Sequence, residues 1–156
     1  MPMRRKEREI TDPVEIESII SRAVVCRVAF ANDNKPYIVP MNYGYSGGEL
    51  RNLFFHCANE GKKLDMIRKN NFVCFEIDTD HAIYKGEKGC DWGMKYSSVV
   101  GYGKIFIVTD QSEKRRGLDR IMAHYAGKGE YTYDEKILSR TSILRLEISE
   151  MTGKRK

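Results

Sequence analysis

No stretch of the sequence approaches the ~20 consecutive apolar residues that a bilayer-spanning helix needs, so no transmembrane segment is expected. The start, Met1-Pro2-Met3-Arg4-Arg5-Lys6, is basic but lacks the apolar core of a signal peptide behind it. The expectation is a cytoplasmic protein without a membrane partner. Cysteine is sparse: Cys26, Cys57, Cys74 and Cys90, with no CxxC pair among them. The close ligand pairs of a structural zinc site are therefore missing, and no metal is expected. A disulfide framework is not expected in a cytosolic chain of this size. Zinc-finger, RNP and helix-turn-helix signatures are also absent. The net charge of +5 lies partly in two basic tails, about residues 1–9 and 152–156, and does not by itself imply nucleic acid. Without a GxGxxG fingerprint, no dedicated Rossmann site for a nicotinamide nucleotide is expected.

What is present fits one folded domain over residues 1–156, with 41% hydrophobic and 31% charged residues. The most informative stretch is Pro36 to Lys69. Two strand-like runs, Tyr37–Tyr45 and Leu50–Ala58, flank Ser46-Gly47-Gly48-Glu49, whose glycines supply the positive φ of a tight turn. The second run ends in Asn59-Glu60-Gly61-Lys62-Lys63, after which Leu64, Met66 and Ile67 fall at helical spacing. A strand thus delivers a turn, two lysines and a helix N-terminus to one place. Such a place can hold a phosphate. It can equally be the solvated first turn of a surface helix.

Upstream, Thr11-Asp12-Pro13 signals a helix start, and the apolar positions from Val14 carry that helix to about Ala23. Val24–Ala31 reads as a strand. Pro40 marks an edge or a bulge in the next, because it cannot donate a ladder hydrogen bond. Phe72–Asp78 and Tyr96–Val108 read as further strands, the latter interrupted by Gly101 and Gly103. Between them, residues 81–94 read as a long irregular connection. A helix from about Asp110, a short one near Tyr133–Leu138 and a half-exposed strand at Ser142–Ile148 complete the chain. About six strands with flanking helices fit a small antiparallel barrel.

Among residues with chemistry, His56 stands on the strand before the lysine turn. It could exchange protons near neutral pH or simply be hydrogen-bonded at a barrel rim. Neighbouring strand positions face opposite ways, so Cys57 cannot form a dyad with His56 on one face. Trp92 and Tyr96 could stack on a ring or serve as interface packing. His124, on the amphipathic helix, reads as structural.

The order of several stretches carries a resemblance. They are Arg4 through Ile10, Val25-Cys26-Arg27-Val28-Ala29-Phe30, Tyr37 through Gly44, Phe55-His56-Cys57-Ala58 through Lys63, Trp92 through Lys104, and Ile121-Met122 with His124-Tyr125. Together they resemble the flavin-binding split-barrel proteins related to pyridoxamine 5′-phosphate oxidase, and within them the nitroimidazole-resistance (Nim-like) branch. The resemblance implies a mostly β, six-stranded antiparallel split barrel with flanking helices. It also implies a homodimer that binds FMN at the subunit interface. By position, Gly61, Lys62 and Lys63 match the FMN phosphate site. Val39, Pro40, Met41 and Asn42 match the strand along the isoalloxazine, and Phe55, His56, Cys57 and Ala58 the next strand over. Tyr96, Ser97 and Ser98, with Trp92 nearby, match a segment that approaches the flavin from either subunit. The implied activity is reduction of small aromatic or nitro compounds, with His56 as the candidate catalytic residue and a diffusible reductant such as NAD(P)H. The alternative is a non-catalytic flavin- or haem-binding protein of the same fold. The arginine-rich C-terminal segment that clamps substrate in true pyridoxamine phosphate oxidases has no counterpart, so that reaction is not expected.

Overall fold

In the computed structural model, which describes residues 4–156, Asp12 opens the first helix by accepting a hydrogen bond from the Val14 amide at 2.9 Å. Pro13 occupies the first turn, where its missing N–H costs nothing. Helix α1 (Pro13–Arg22) turns Ile16, Ile19 and Ile20 inward and packs against the long strands. The first three residues of the basic start lie outside the described residues. No helix among those described is long and apolar enough to cross a membrane.

Among the described residues, eight strands form one antiparallel sheet: β1 (Glu9–Ile10), β2 (Cys26–Asn32), β3 (Lys35–Met41), β4 (Gly44–Ser46), β5 (Asn52–Ala58), β6 (Phe72–Tyr84), β7 (Gly93–Val108) and β8 (Thr141–Arg155). Their order is β3-β2-β6-β7-β8-β5-β4, with the short β1 on β8. The outermost strands of that order, β3 and β4, follow each other in the chain with only Asn42 and Tyr43 between them. A link that short requires the sheet to roll until its edges meet. Strands therefore enclose an apolar interior built from Val28, Phe30, Leu53, Phe55, Phe75, Ile77, Ile105 and Leu144, all essentially inaccessible.

Helix α2 (Lys62–Lys69) adds Leu64, Met66 and Ile67 to that interior. Helix α3 (Gln111–Ala126) covers β4 and β5 from outside, where Ile121 joins Phe54, Val108 and Ile143 in a second apolar cluster. Gly44 permits this approach, since a Cβ there would stand 2.3 Å from the Arg120 carbonyl carbon. A short α4 (Glu135–Ser139) leads into β8.

The split barrel is as expected, but two features differ from the sequence reading. Eight strands replace six, because the run Tyr37–Tyr45 breaks at its corner and Glu9–Ile10 adds a two-residue strand. Residues 81–94 are not a long irregular connection. Strand β6 runs on to Tyr84 and β7 begins at Gly93, pairing Ala82 with Lys95 and Ile83 with Met94 beyond a bulge at which Asp80 adopts φ 60°. Pro40 does lie in an edge strand, and its pairing with Arg27 shows no bulge. The irregularity expected near Gly101 and Gly103 falls between Tyr102 and Gly103.

Candidate cofactor site

Three chain reversals converge at one end of the barrel. Strand β5 ends with Ala58 opposite Thr141, the first residue of β8. Asn59 then ties the two turns together. Its Nδ2 donates to the Ser139 carbonyl at 2.7 Å, and its Oδ1 accepts from the Ser142 hydroxyl at 2.8 Å. Gly61 follows at φ 128°, a conformation that a side chain would strain, and hands the chain to α2 with no side chain capping the helix. The corner of β3 completes the wall.

Between these elements lies an open cavity of about 520 Å³. Val39, Pro40, Met41 and Asn42 form one side, and His56, Cys57 and Ala58 the other. Lys63, Arg140 and Thr141 close the end. Two cations and no carboxylate line it, and an uncapped helix start stands beside it, so a bound anion would be stabilised there. Its volume falls within the usual range of cofactor pockets. Strand β3, paired only with β2, leaves one row of backbone donors and acceptors free along the cavity wall. A ligand with a phosphate at one end and a flat, polar-edged ring at the other matches this donor set. The Cys57 thiol is half-buried. Burial raises its pKa while Lys63 opposes the rise, which keeps it protonated rather than nucleophilic.

Of the residues singled out in the sequence, eight line this cavity: Val39, Pro40, Met41, Asn42, His56, Cys57, Ala58 and Lys63. Three more are placed elsewhere in the same region or on another element. Phe55 is fully buried in the barrel interior, on the opposite face of β5 from His56. Gly61 shapes the turn without lining the space. Lys62 parts from its neighbour, since one residue turns a helix by about 100°. Its ammonium stands 4.2 Å from the centroid of the Tyr37 ring and lines a separate depression with Asp65 and Lys69.

Trp92, Tyr96, Ser97 and Ser98 are not at the cavity within this chain. Ser97 and Ser98 pair with Arg155 and Lys154, at the far end of β8 from Thr141. That separation is roughly 40 Å of strand at ~3.3 Å per residue. Tyr96 lies beside Lys154, whose hydrogen bond lowers the phenol pKa. Trp92 sits near Lys85. His124 is structural, as expected: its Nε2 donates to the Ala23 carbonyl at 2.7 Å and its ring packs on Tyr43. Sequence reasoning missed Arg140, Thr141 and the tie made by Asn59. Two polar turns, Asn59-Glu60-Gly61 after β5 and Ser139-Arg140 before β8, were the available signal.

A rolled antiparallel sheet with this cavity at its corner defines a split-barrel protein. The family model described as pyridoxamine 5′-phosphate oxidase matches residues 12–155, and the chain belongs to that family. The chain is similar to the crystal structure of a candidate 5-nitroimidazole antibiotic resistance protein from Bacteroides thetaiotaomicron VPI-5482. Identity is 34%, over 94% of this chain and 86% of that one, with a TM-score of 0.81. The flavocytochrome Anf3 from Azotobacter vinelandii shares the fold at 14% identity and TM-score 0.81, over 99% and 72% of the two chains. An FAD-binding protein from Mesorhizobium loti does so at 22% identity and TM-score 0.67, over 96% and 97%. A curated, uncharacterised protein of Rhizobium meliloti (strain 1021) is 33% identical over 64 residues, which span 40% of this chain and 39% of that protein.

Proposed function

We propose that this protein binds FMN and, as a homodimer, reduces small aromatic or nitro compounds. The observation that carries the reading is the single cavity in which β3, β5 and the cationic end formed by Lys63 and Arg140 meet. The likeness to a candidate nitroimidazole-resistance protein supports the substrate class. When bound, FMN would supply the hydride and electron chemistry that no side chain has. Lys63 and Arg140 would hold its phosphate, and the free edge of β3 would orient the ring. His56, exposed at the cavity wall, is the side chain placed to hold or pass a proton at the ring.

A homodimer is part of this reading because Trp92 and Tyr96–Ser98 can reach a flavin only from a second copy. The ribbon that carries them exposes Ile83, Trp92 and Met94, and the adjoining face of the sheet exposes Phe72, Val100 and Tyr102. Such an apolar stripe is suited to an interface.

The absorption spectrum of the purified protein, followed by titration of flavin-free protein with FMN, tests the cofactor. A flavin band near ~450 nm and saturable FMN binding are expected of a cofactor-carrying fold. A Soret band with no flavin affinity would make it a haem protein instead. Turnover is tested with NAD(P)H and a panel of nitroaromatic and quinone compounds. If bound flavin is reoxidised by none of them, the protein is a flavin carrier and the oxidoreductase reading fails.

A further inference from the structure

A second cavity, of about 340 Å³, lies directly beside the first and shares His56 and Thr141 with it. Its walls are Leu118, Ile121 and Met122 of α3 and Ile137 and Leu138 of α4, with Thr132, Tyr133 and Asp134 closing the side. The segment between the helices is held in place. Tyr133 donates to Asp119 at 2.7 Å, and Arg115 pairs with Glu135. The cavity is therefore preformed, and little ordering cost accompanies binding.

Most polar groups around it are already committed. Asp134 accepts from the Lys136 and Ile137 amides at 2.8 and 3.2 Å, and Thr141 donates to the Ile137 carbonyl at 2.9 Å. Burial and the bond to Asp119 push the Tyr133 phenol pKa up, so that hydroxyl stays a committed donor. What remains for a ligand is apolar surface, the second carboxylate oxygen of Asp134, the Thr132 hydroxyl and the His56 imidazole. No lysine or arginine lines the space, whereas the first cavity has Lys63 and Arg140. The two compartments thus differ in charge.

We infer that this second cavity binds the aromatic substrate. It takes a neutral compound of one or two fused rings carrying a nitro or carbonyl oxygen, with that oxygen turned toward His56 at the boundary between the cavities. The inference rests on the proposed function for its substrate class, but the binding itself does not require the flavin.

The test uses flavin-free protein titrated with 1-nitronaphthalene and followed by methyl NMR. Saturable shifts are expected at Leu118, Ile121, Met122, Ile137 and Leu138. Ile137 is 67% exposed, so Ile137→Trp can fill the mouth of the cavity without disturbing the core. That variant should weaken 1-nitronaphthalene at least tenfold and leave FMN affinity unchanged. Lys63→Ala should do the reverse. Shifts confined to Val39 and Met41, an Ile137→Trp variant that binds as tightly as wild type, or no saturable binding would each overturn the inference. So would equally tight binding of naphthalene-1-sulfonate at the same methyls, because the difference in charge would then not sort ligands. Failure of FMN reading shows separately, in the FMN titration alone.

Discussion

Strand β8 has two ends that differ in kind. At Thr141 it meets Ala58 and the Asn59 tie, and three chain reversals enclose a cationic cavity. At Lys154 it meets the β6–β7 ribbon, where Tyr96, Trp92 and Met94 are wholly or partly exposed and none of them lines that cavity. The first end is built within one chain. The second offers exposed aromatic surface. A cofactor site assembled from both, as proposed above, would use two copies, and each end can be disabled separately.

The largest effect is expected at the cavity end. Lys63→Ala combined with Arg140→Ala removes two charge-assisted contacts worth roughly 1.5–3 kcal/mol each, so FMN should bind about two to four orders of magnitude more weakly. Riboflavin, which lacks the phosphate, should bind wild type and variant alike. Parallel loss of both flavins in a folded variant would show that the cations do something other than hold the phosphate. Next comes Asn59→Ala. It leaves a carbonyl and a hydroxyl without their partner, and a displaced Arg140 should weaken FMN by about tenfold while costing roughly 1–2 kcal/mol of stability. Calorimetry of the variant with and without FMN separates the two losses.

At the ribbon end, Trp92→Ala should weaken FMN by about 2–10-fold, the range of one aromatic contact, and only where the protein is dimeric. Sedimentation alongside FMN titration checks this. An effect that persists in dilute monomer would place Trp92 within its own chain's site. The smallest effect is expected for Lys62→Ala. It forfeits an exposed cation–π contact worth about 0.5–1 kcal/mol of stability and should change FMN affinity less than about threefold. A drop as large as that of Lys63→Ala would mean that the lysine swings into the cavity when the phosphate arrives.

These contrasts also mark what the chain's residues revealed on their own. Local chemistry was legible: the Asp12-Pro13 start, the Gly48 turn, the β-branched runs and the lysine turn after β5 all appear where their side chains suggested. So did the β3 and β5 walls of the cavity, through family resemblance. The ribbon was misread because three glycines and mixed charge between His81 and Met94 look like loop. Strand pairing there is imposed by the long β6–β7 hairpin, not by alternation. Arg140 and Thr141 were hidden for another reason. Only the register of β5 on β8 brings them to Lys63, and register across 80 residues leaves no local trace. That Lys62 and Lys63 diverge follows from helical geometry and was legible. Which of them faces the cavity depends on the angle at which α2 leaves Gly61, which composition does not encode.

The two-residue link between β3 and β4 has a consequence for how the molecule opens. Tyr43 pins that corner: its amide donates to the Tyr125 hydroxyl at 3.0 Å, and its own hydroxyl reaches the Ile20 and Ala23 carbonyls. Neighbouring Met41 and Asn42 are cavity wall. Unzipping the barrel at its seam therefore dismantles the binding site in the same event, and a bound ligand acts as a latch on the seam. Amide hydrogen exchange at Tyr43 should report that latch. With FMN at about 100 times its Kd, exchange there should slow by up to about 100-fold, while an exposed position such as Val14 is left nearly unchanged.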